Sequence, residues 1–252
     1  MPRPVNRNPM LAVDGWPARL GRLFCPPRCP VCHEQAGEHD GLCPACAAAL
    51  PWNRCACRCC ALPLPFAAEP DPAPASAGPA CGACLRRPPP LHAVHAAFVY
   101  GFPVDRLLPR FKFHHDLAAG RLLARWMARS LATAARPEAL IALPLHRARL
   151  RTRGYDQALE LARPLARALA LPLLEGSLRR TRATAPQSRL QAQARRRNLR
   201  DAFAVSDPAR LPAHVTLVDD VMTTGATLHA AAKALRRAGV RRVDAWVCAR
   251  TP

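Results

Sequence analysis

The sequence predicts an α/β protein in which a parallel sheet with flanking helices follows a small Cys-rich module. Three observations carry this. From Leu91 onward, short apolar segments alternate with helical patterns, as in a parallel sheet whose strands are joined by helices. Eleven of the 12 cysteines lie between Cys25 and Cys84. Between the two zones stands Arg86-Arg87-Pro88-Pro89-Pro90, and consecutive prolines favour extended chain. Residues 1–24 therefore read as a lead-in, with a short helix around Trp16–Phe24. Residues 25–90 read as the cysteine module and linker, with a loop over Pro63–Pro79, and residues 91–252 as the sheet domain.

Within that domain the strands are Val94–Tyr100, Ala139–Pro144, Val215–Asp220 and Arg242–Ala249, each short, apolar and in places β-branched. The helices are Leu117–Ala134, Gln157–Leu169 and Ala226–Ala238, the last stopped by Gly239. Pro164 should bend or split the second of them. Trp126 and Trp246 fit a core, and His114-His115 a turn before a helix.

Half of the 252 residues are apolar, enough for a core and against disorder throughout. The formal net charge is +20, carried by 35 arginines and only two lysines, Lys112 and Lys233. Such charge favours phosphate-rich partners, nucleic acid or a small phosphorylated ligand. A GC-rich coding sequence yields the same Ala/Arg/Pro-rich composition. With aromatics at 5%, a base-stacking surface is poorly supported. No run reaches the roughly 18 apolar residues of a membrane span, and residues 1–24 lack the apolar stretch of a signal peptide. These features predict a cytoplasmic protein without a membrane span.

In a reducing compartment clustered cysteines bind metal more often than they pair. Cys29-x2-Cys32 and Cys43-x2-Cys46 can close one tetrahedral zinc site, and Cys57-x2-Cys60 with Cys81-x2-Cys84 a second. Cys55 and Cys59 leave the register of the second site open, Cys25 is surplus, and His33 reads as a solvated loop residue. Sites with four cysteine ligands are structural, and a segment this poor in apolar residues needs its metal to fold.

The sharpest signal is Val215-Thr-Leu-Val-Asp219-Asp220-Val-Met-Thr223-Thr224-Gly225-Ala226-Thr227-Leu228. An apolar strand ends in two carboxylates, then a hydroxyl-rich turn opens a helix. Open α/β sheets bind ligands at the carboxyl ends of their strands. The first turn of a helix offers unpaired N–H groups and a positive dipole end, which suit a phosphate. Thr223, Thr224 and Thr227 add hydroxyls, while Gly225 lets the backbone come close. Asp219 and Asp220 are placed to accept hydrogen bonds from vicinal sugar hydroxyls. Together these describe a site for a ribose 5-phosphate.

This string resembles the phosphoribosyl-pyrophosphate (PRPP) motif of type I phosphoribosyltransferases. The chain as a whole resembles the ComF family, in which an amino-terminal double zinc ribbon precedes a phosphoribosyltransferase-like domain. Leu143-Pro-Leu-His146 with Arg149-Leu-Arg-Thr-Arg153-Gly154-Tyr155-Asp156-Gln157 is similar to the family's stretch there, where Asn is usual in place of Asp156. Thr184-Ala-Pro186-Gln187, Arg195-Arg-Arg-Asn198 and Cys57-x2-Cys60-Ala-Leu-Pro63 add to the likeness, and the last favours the Cys57/Cys60 register. Lys112, in Phe-Lys-Phe, matches a lysine of the family whose role the sequence does not assign.

The resemblance implies that Asp219 and Asp220 hold the ribose 2′ and 3′ hydroxyls and that Thr223, Thr224, Gly225, Ala226 and Thr227 hold the 5′-phosphate. The loop Leu145, His146, Arg147 would meet the pyrophosphate together with Mg²⁺. Arginines from Arg147 to Arg153 and from Arg182 to Arg197 would neutralise the leaving group, which makes Arg147 and Arg153 catalytic candidates beside the two acids. It implies two structural zinc ions, a link to DNA uptake, and DNA or DNA-uptake proteins as partners; a homo-oligomer is compatible with it. Two functions follow. One is Mg²⁺-dependent transfer of ribose 5-phosphate from PRPP to an unidentified acceptor. The other is a non-catalytic PRPP- or nucleotide-sensing factor that binds DNA or protein.

Overall fold

A computed structural model describes residues 27–36, 41–65, 78–181 and 202–252. The expected helix at Trp16–Phe24, Cys25, part of the Pro63–Pro79 loop, the segments Thr184–Gln187 and Arg195–Asn198, and the arginines from Arg182 to Arg197 lie outside them. The chain divides into two compact units, at Ala48/Ala49. The second cysteine cluster thus belongs to the same unit as the sheet.

In the first unit, α1 (Pro44–Ala48) follows the Cys29–Cys32 knuckle. The second unit opens with irregular chain and α2 (Gly82–Arg86), then β1 (Val94–Val99), α3 (Val104–Phe113) and α4 (Leu117–Ser130). Next come β2 (Ala139–Ala142), α5 (Arg147–Arg153), α6 (Gln157–Ala168), β3 (Leu178–Arg180) and β4 (Phe203–Val205). β5 (His214–Met222), α7 (Ala226–Arg237) and β6 (Arg242–Arg250) complete it. Four strands form a parallel sheet in the order β1-β6-β5-β2, and β3 pairs antiparallel with β4. Parallel strands buried on both faces read as apolar runs: β2 is apolar throughout, and β6 is buried from Val243 to Ala249. Val215, Leu217, Val243, Ala245 and Val247 share one buried cluster with Leu228, Ala231 and Leu235 of α7. Among the described residues no helix is long and apolar enough to cross a membrane.

All four expected strands and three expected helices are present. Their ends shift: β5 runs on to Met222, past the acid pair, and α4 stops at Ser130 rather than Ala134. Pro164 neither splits nor ends its helix, because Leu161, Ala162, Leu165 and Ala166 are all buried there. Their packing against the neighbouring elements outweighs the roughly 3 kcal/mol that an interior proline costs. Trp126 and Trp246 are core residues, and His114 and His115 form the turn between α3 and α4.

Both edges of the sheet are covered by irregular chain. On β1, Val99 N–H donates to Pro51 O, Asn53 N–H to Ala97 O, and Val94 N–H to Arg58 O. Trp52 stacks on Phe98 with ring centroids 4.6 Å apart. On β2, Leu140 N–H donates to Pro172 O and accepts at its carbonyl from Leu174 N–H.

The sequence reading missed α3, which contains Pro109 and begins after Pro103. What holds it is Phe111, whose ring lies where a Cβ on Gly120 of α4 would come within 2.4 Å. Gly120→Ala should therefore lower the melting temperature. A gain of about 1 kcal/mol in helix propensity is set against an overpacking cost of about 1–3 kcal/mol; calorimetric melting measures the balance.

Candidate ligand cleft and metal sites

The eight cysteines expected as metal ligands form two groups, Cys29/Cys32/Cys43/Cys46 and Cys57/Cys60/Cys81/Cys84, with the sulfurs of each within 4.8 Å of one another. Cys32 Sγ lies 3.5 Å from Cys43 Sγ and 3.7 Å from Cys46 Sγ, and Cys60 Sγ lies 3.8 Å from Cys81 Sγ. Those are close to the edge of a tetrahedron with Zn–S of 2.3 Å, about 3.8 Å. Backbone N–H groups support the sulfurs: Cys46 donates to Cys43 Sγ at 3.4 Å and Cys81 to Cys57 Sγ at 3.2 Å. The donor set fits zinc, and the register takes Cys57 and Cys60. Cys55 and Cys59 stay outside the group, and so does His33, which is exposed.

The second site is built where β2 and β5 part. β2 pairs with β5 only as far as Val218, whereas β6 follows β5 to Met222. After Ala142 the chain turns away, with Leu143 N–H donating to Val218 O at 2.9 Å. Asp219 and Asp220 therefore stand at a crevice beyond the end of β2. Asp219 Oδ1 accepts from Asp220 N–H at 2.8 Å, and Asp220 Oδ1 accepts from Val221 N–H. Asp220 is buried and Asp219 half-buried. Burial and the neighbouring Asp220 carboxylate push the Asp219 carboxyl well above the ordinary range, against the pull of Asp220 N–H and Lys112.

The cleft has a volume of about 150 Å³ and is lined by Leu143–Leu145, Ala158, Asp219, Asp220 and Thr227, with Gln157 and four cations, Lys112, Arg149, Arg153 and Arg180. Thr223 and Thr224 are exposed on the turn that follows β5, and Thr224 Oγ1 accepts from Ala226 N–H at 3.4 Å. Gly225 takes φ +72°, and a Cβ there would come within 2.4 Å of Met222 Cε, so only glycine fits. Ala226 begins α7.

The expected pyrophosphate loop is the start of a helix. His146 is the N-cap of α5, its Nδ1 accepting from Ala148 N–H at 3.2 Å, and Arg147 is the first helical residue. Of this trio only Leu145 lines the cleft; Arg147 is exposed and His146 half-buried outside the lining. Arg153 does line it, donating to Gln157 Oε1 at 2.9 Å and stacking over Phe113 at 5.2 Å. Asp156 explains its departure from the usual Asn. One carboxylate oxygen caps α6 through Leu159 N–H at 3.2 Å, and the other accepts from Leu145 N–H at 3.0 Å. An amide has only one such oxygen. Burial, and to a lesser degree the charge of Asp220, raise the Asp156 carboxyl, while these N–H groups lower it.

Sequence reasoning missed Lys112, Gln157 and Arg180 as cleft residues. Lys112 Nζ lies 3.0 Å from Asp220 Oδ1. The signals available for it were its match to a lysine of the family and its rarity, one of two lysines beside 35 arginines. A larger groove of about 620 Å³ lies between Trp52–Arg58, β1 and the end of α4; Cys57 lines it, but none of the residues expected to hold PRPP does.

Comparison with known proteins defines the class first. Residues 20–85 match the family described as the double zinc ribbon domain, and residues 155–252 the phosphoribosyl transferase domain. Competence protein F of Haemophilus influenzae is 39% identical over 178 residues, 68% of this chain and 78% of its own. DNA utilization protein YhgH of Escherichia coli O157:H7 is 33% identical over 236 residues, 91% of this chain and 99% of its own. Competence protein ComFC of Streptococcus pneumoniae is 27% identical over 151 residues, 60% of this chain and 65% of its own. The chain belongs to the ComF family, proteins that join a double zinc ribbon to a phosphoribosyltransferase domain.

Proposed function

We propose that the cleft binds PRPP with Mg²⁺ and transfers its ribose 5-phosphate to an acceptor. The observation that carries this is the acid pair near the end of β5, two residues before the threonine turn and sharing one cleft with Lys112, Arg149, Arg153 and Arg180. Asp219 and Asp220 accept from the ribose 2′ and 3′ hydroxyls. The N–H groups and hydroxyls from Thr223 to Thr227 hold the 5′-phosphate. Leu145, with His146 and Arg147 beside it, faces the pyrophosphate.

In the reaction the bond from C1′ to the pyrophosphate oxygen breaks and its electron pair leaves with pyrophosphate. The acceptor forms the new bond to C1′ and gives up its proton. Positive charge grows on the ribose beside the two acids, and negative charge on the leaving group beside Arg149, Arg153 and Arg180. The work of these residues is electrostatic and needs no nucleophilic side chain. Few carboxylates and many cations line the cleft, a donor set that fits Mg²⁺ carried in on the pyrophosphate rather than caged by protein. When bound there, Mg²⁺ supplies charge neutralisation at the phosphate oxygens.

The relatives' names support a setting in the handling of DNA, with the ribbons and the +20 chain as the surface for DNA or an uptake protein. A cytoplasmic location agrees with eight thiolates kept free of disulfides for zinc. Calorimetric titration of Mg·PRPP into the zinc-loaded protein tests the reading, beside the Asp219→Asn/Asp220→Asn double variant. Binding by wild type alone is the expected result, and absence of binding by folded wild type would overturn it. Pyrophosphate release with a panel of nucleobase acceptors then separates transfer from ligand sensing without turnover.

A further inference from the structure

We infer that Lys112 is a positioning residue of the cleft: its ammonium fixes the orientation of Asp220 and offsets the charge of the acid pair, so that both acids face a ribose correctly. The inference rests on the reading of the cleft just given. The Lys112 and Asp220 side chains are only 19% and 13% exposed, which sets the pair apart from a surface ion pair of small worth. Asp219 and Asp220 each use Oδ1 for backbone N–H groups, and Asp220 Oδ1 takes Lys112 as well. Among the described residues this leaves Oδ2 of each acid for hydroxyls.

The charges around the pair explain why a cation is needed there. Asp156, at the start of α6, is near enough for its charge to act on Asp219, and the charge of Asp220 acts on Asp156 in turn. Arg149 and Arg153 of α5 and Arg180 of β3 line the same cleft, and the Cys248 thiol of β6 feels both Asp220 and Lys112. Lys112 Nζ lies within ion-pair distance of Asp220, at 3.0 Å from Oδ1.

Its backbone is also held. Phe111 fills the notch at Gly120 and packs on Tyr155 with ring centroids 5.8 Å apart. Arg110 pairs at 2.7 Å with Asp116, the N-cap of α4. A compact point charge at a fixed place suits this position, where the forked guanidinium used elsewhere in the chain is larger.

The test is a double-mutant cycle on full-length, zinc-loaded protein, with Mg·PRPP affinity and melting temperature as readouts. Lys112→Met should weaken Mg·PRPP about tenfold or more, since it leaves an unpaired buried carboxylate. Asp220→Asn should also weaken it, and Lys112→Met/Asp220→Asn should bind no worse than the weaker single variant. Lys112→Met should lower the melting temperature and the double variant should regain most of that loss. Lys112→Arg, which keeps the charge, should hold the melting temperature and part of the affinity. Where Lys112→Met fails to fold, Lys112→Arg, Asp220→Asn and the double variant still decide. Full additivity of the single variants, or wild-type affinity in Lys112→Met, overturns the inference alone. Wild type that does not bind Mg·PRPP overturns the reading of the cleft and this inference with it.

Discussion

Asp219→Asn alone is expected to weaken Mg·PRPP binding about 10- to 100-fold and, above pH 7, to raise the melting temperature. The two effects share one cause. The carboxyl is held high, to about 8, chiefly by burial and then by the adjacent Asp220 carboxylate. A carboxyl whose folded value is raised binds a proton in the folded state over a range where the unfolded chain has lost it. Stability on this account falls as pH rises from the unfolded value near 4 through the raised folded value, and the full cost is present above it. Asparagine removes that cost. The melting temperature of the variant should exceed that of wild type by about 2–4 °C for each kcal/mol relieved, with the difference shrinking as pH falls towards 4.

Binding moves the other way. A hydroxyl donating to a carboxylate is a charge-assisted bond worth roughly 1.5–3 kcal/mol, so its loss costs about 10- to 100-fold in affinity. Because hydroxyls prefer the ionised acid, Mg·PRPP should also bind more tightly to wild type as pH rises from 6 to 9. Calorimetry in buffers of different ionisation enthalpy should then record release of a proton on binding. A variant that binds as wild type does, or an affinity flat across that pH range, would remove Asp219 from the site.

Loss of zinc from the second cluster should be the other large effect. Wild type should carry two zinc ions per chain by elemental analysis, and Cys57→Ser and Cys29→Ser should each remove one. The consequence of Cys57→Ser reaches the sheet. Arg58, beside Cys57, accepts from Val94 N–H; Asn53 N–H donates to Ala97 O; and Arg250 Nε donates to Cys60 O at 2.9 Å. Without the metal nothing of comparable strength holds this segment, since metal binding and folding are one event in such ribbons. Amide exchange at Val94 and Val99 should quicken by orders of magnitude and the melting temperature should fall. Unchanged protection in a zinc-depleted variant would show that the chain around Cys57 holds itself.

How far these sites could be read from the sequence depended on whether a signal was local. The cysteine spacings and the string from Val215 to Leu228 are local, and each maps to a cluster or to one strand, turn and helix. β5 outran its expected end because Val221 and Met222 keep pairing with β6 after β2 has turned away at Val218. α3 was missed because Pro109 interrupts its pattern, although Val104, Leu107, Leu108 and Phe111 recur at helical spacing and are buried. Lys112 and Arg180 come from α3 and β3, distant in sequence from the acids they face, so no spacing rule could place them. Arg147 was expected in the site by its neighbourhood, yet as the first residue of α5 it is exposed and away from the cleft lining.

The covering of β1 by Pro51–Arg58 and of β2 by Pro172–Leu174 bears on how copies of the chain can meet. An open row of unpaired N–H and C=O groups is a template for adding a strand from another molecule. Here the bonds at Val94, Ala97 and Val99 on one side, and both backbone groups of Leu140 on the other, are already used. Among the described residues both borders of the four-stranded sheet are thus already engaged at these positions, which works against copies of the chain joining by extending that sheet from one molecule into the next.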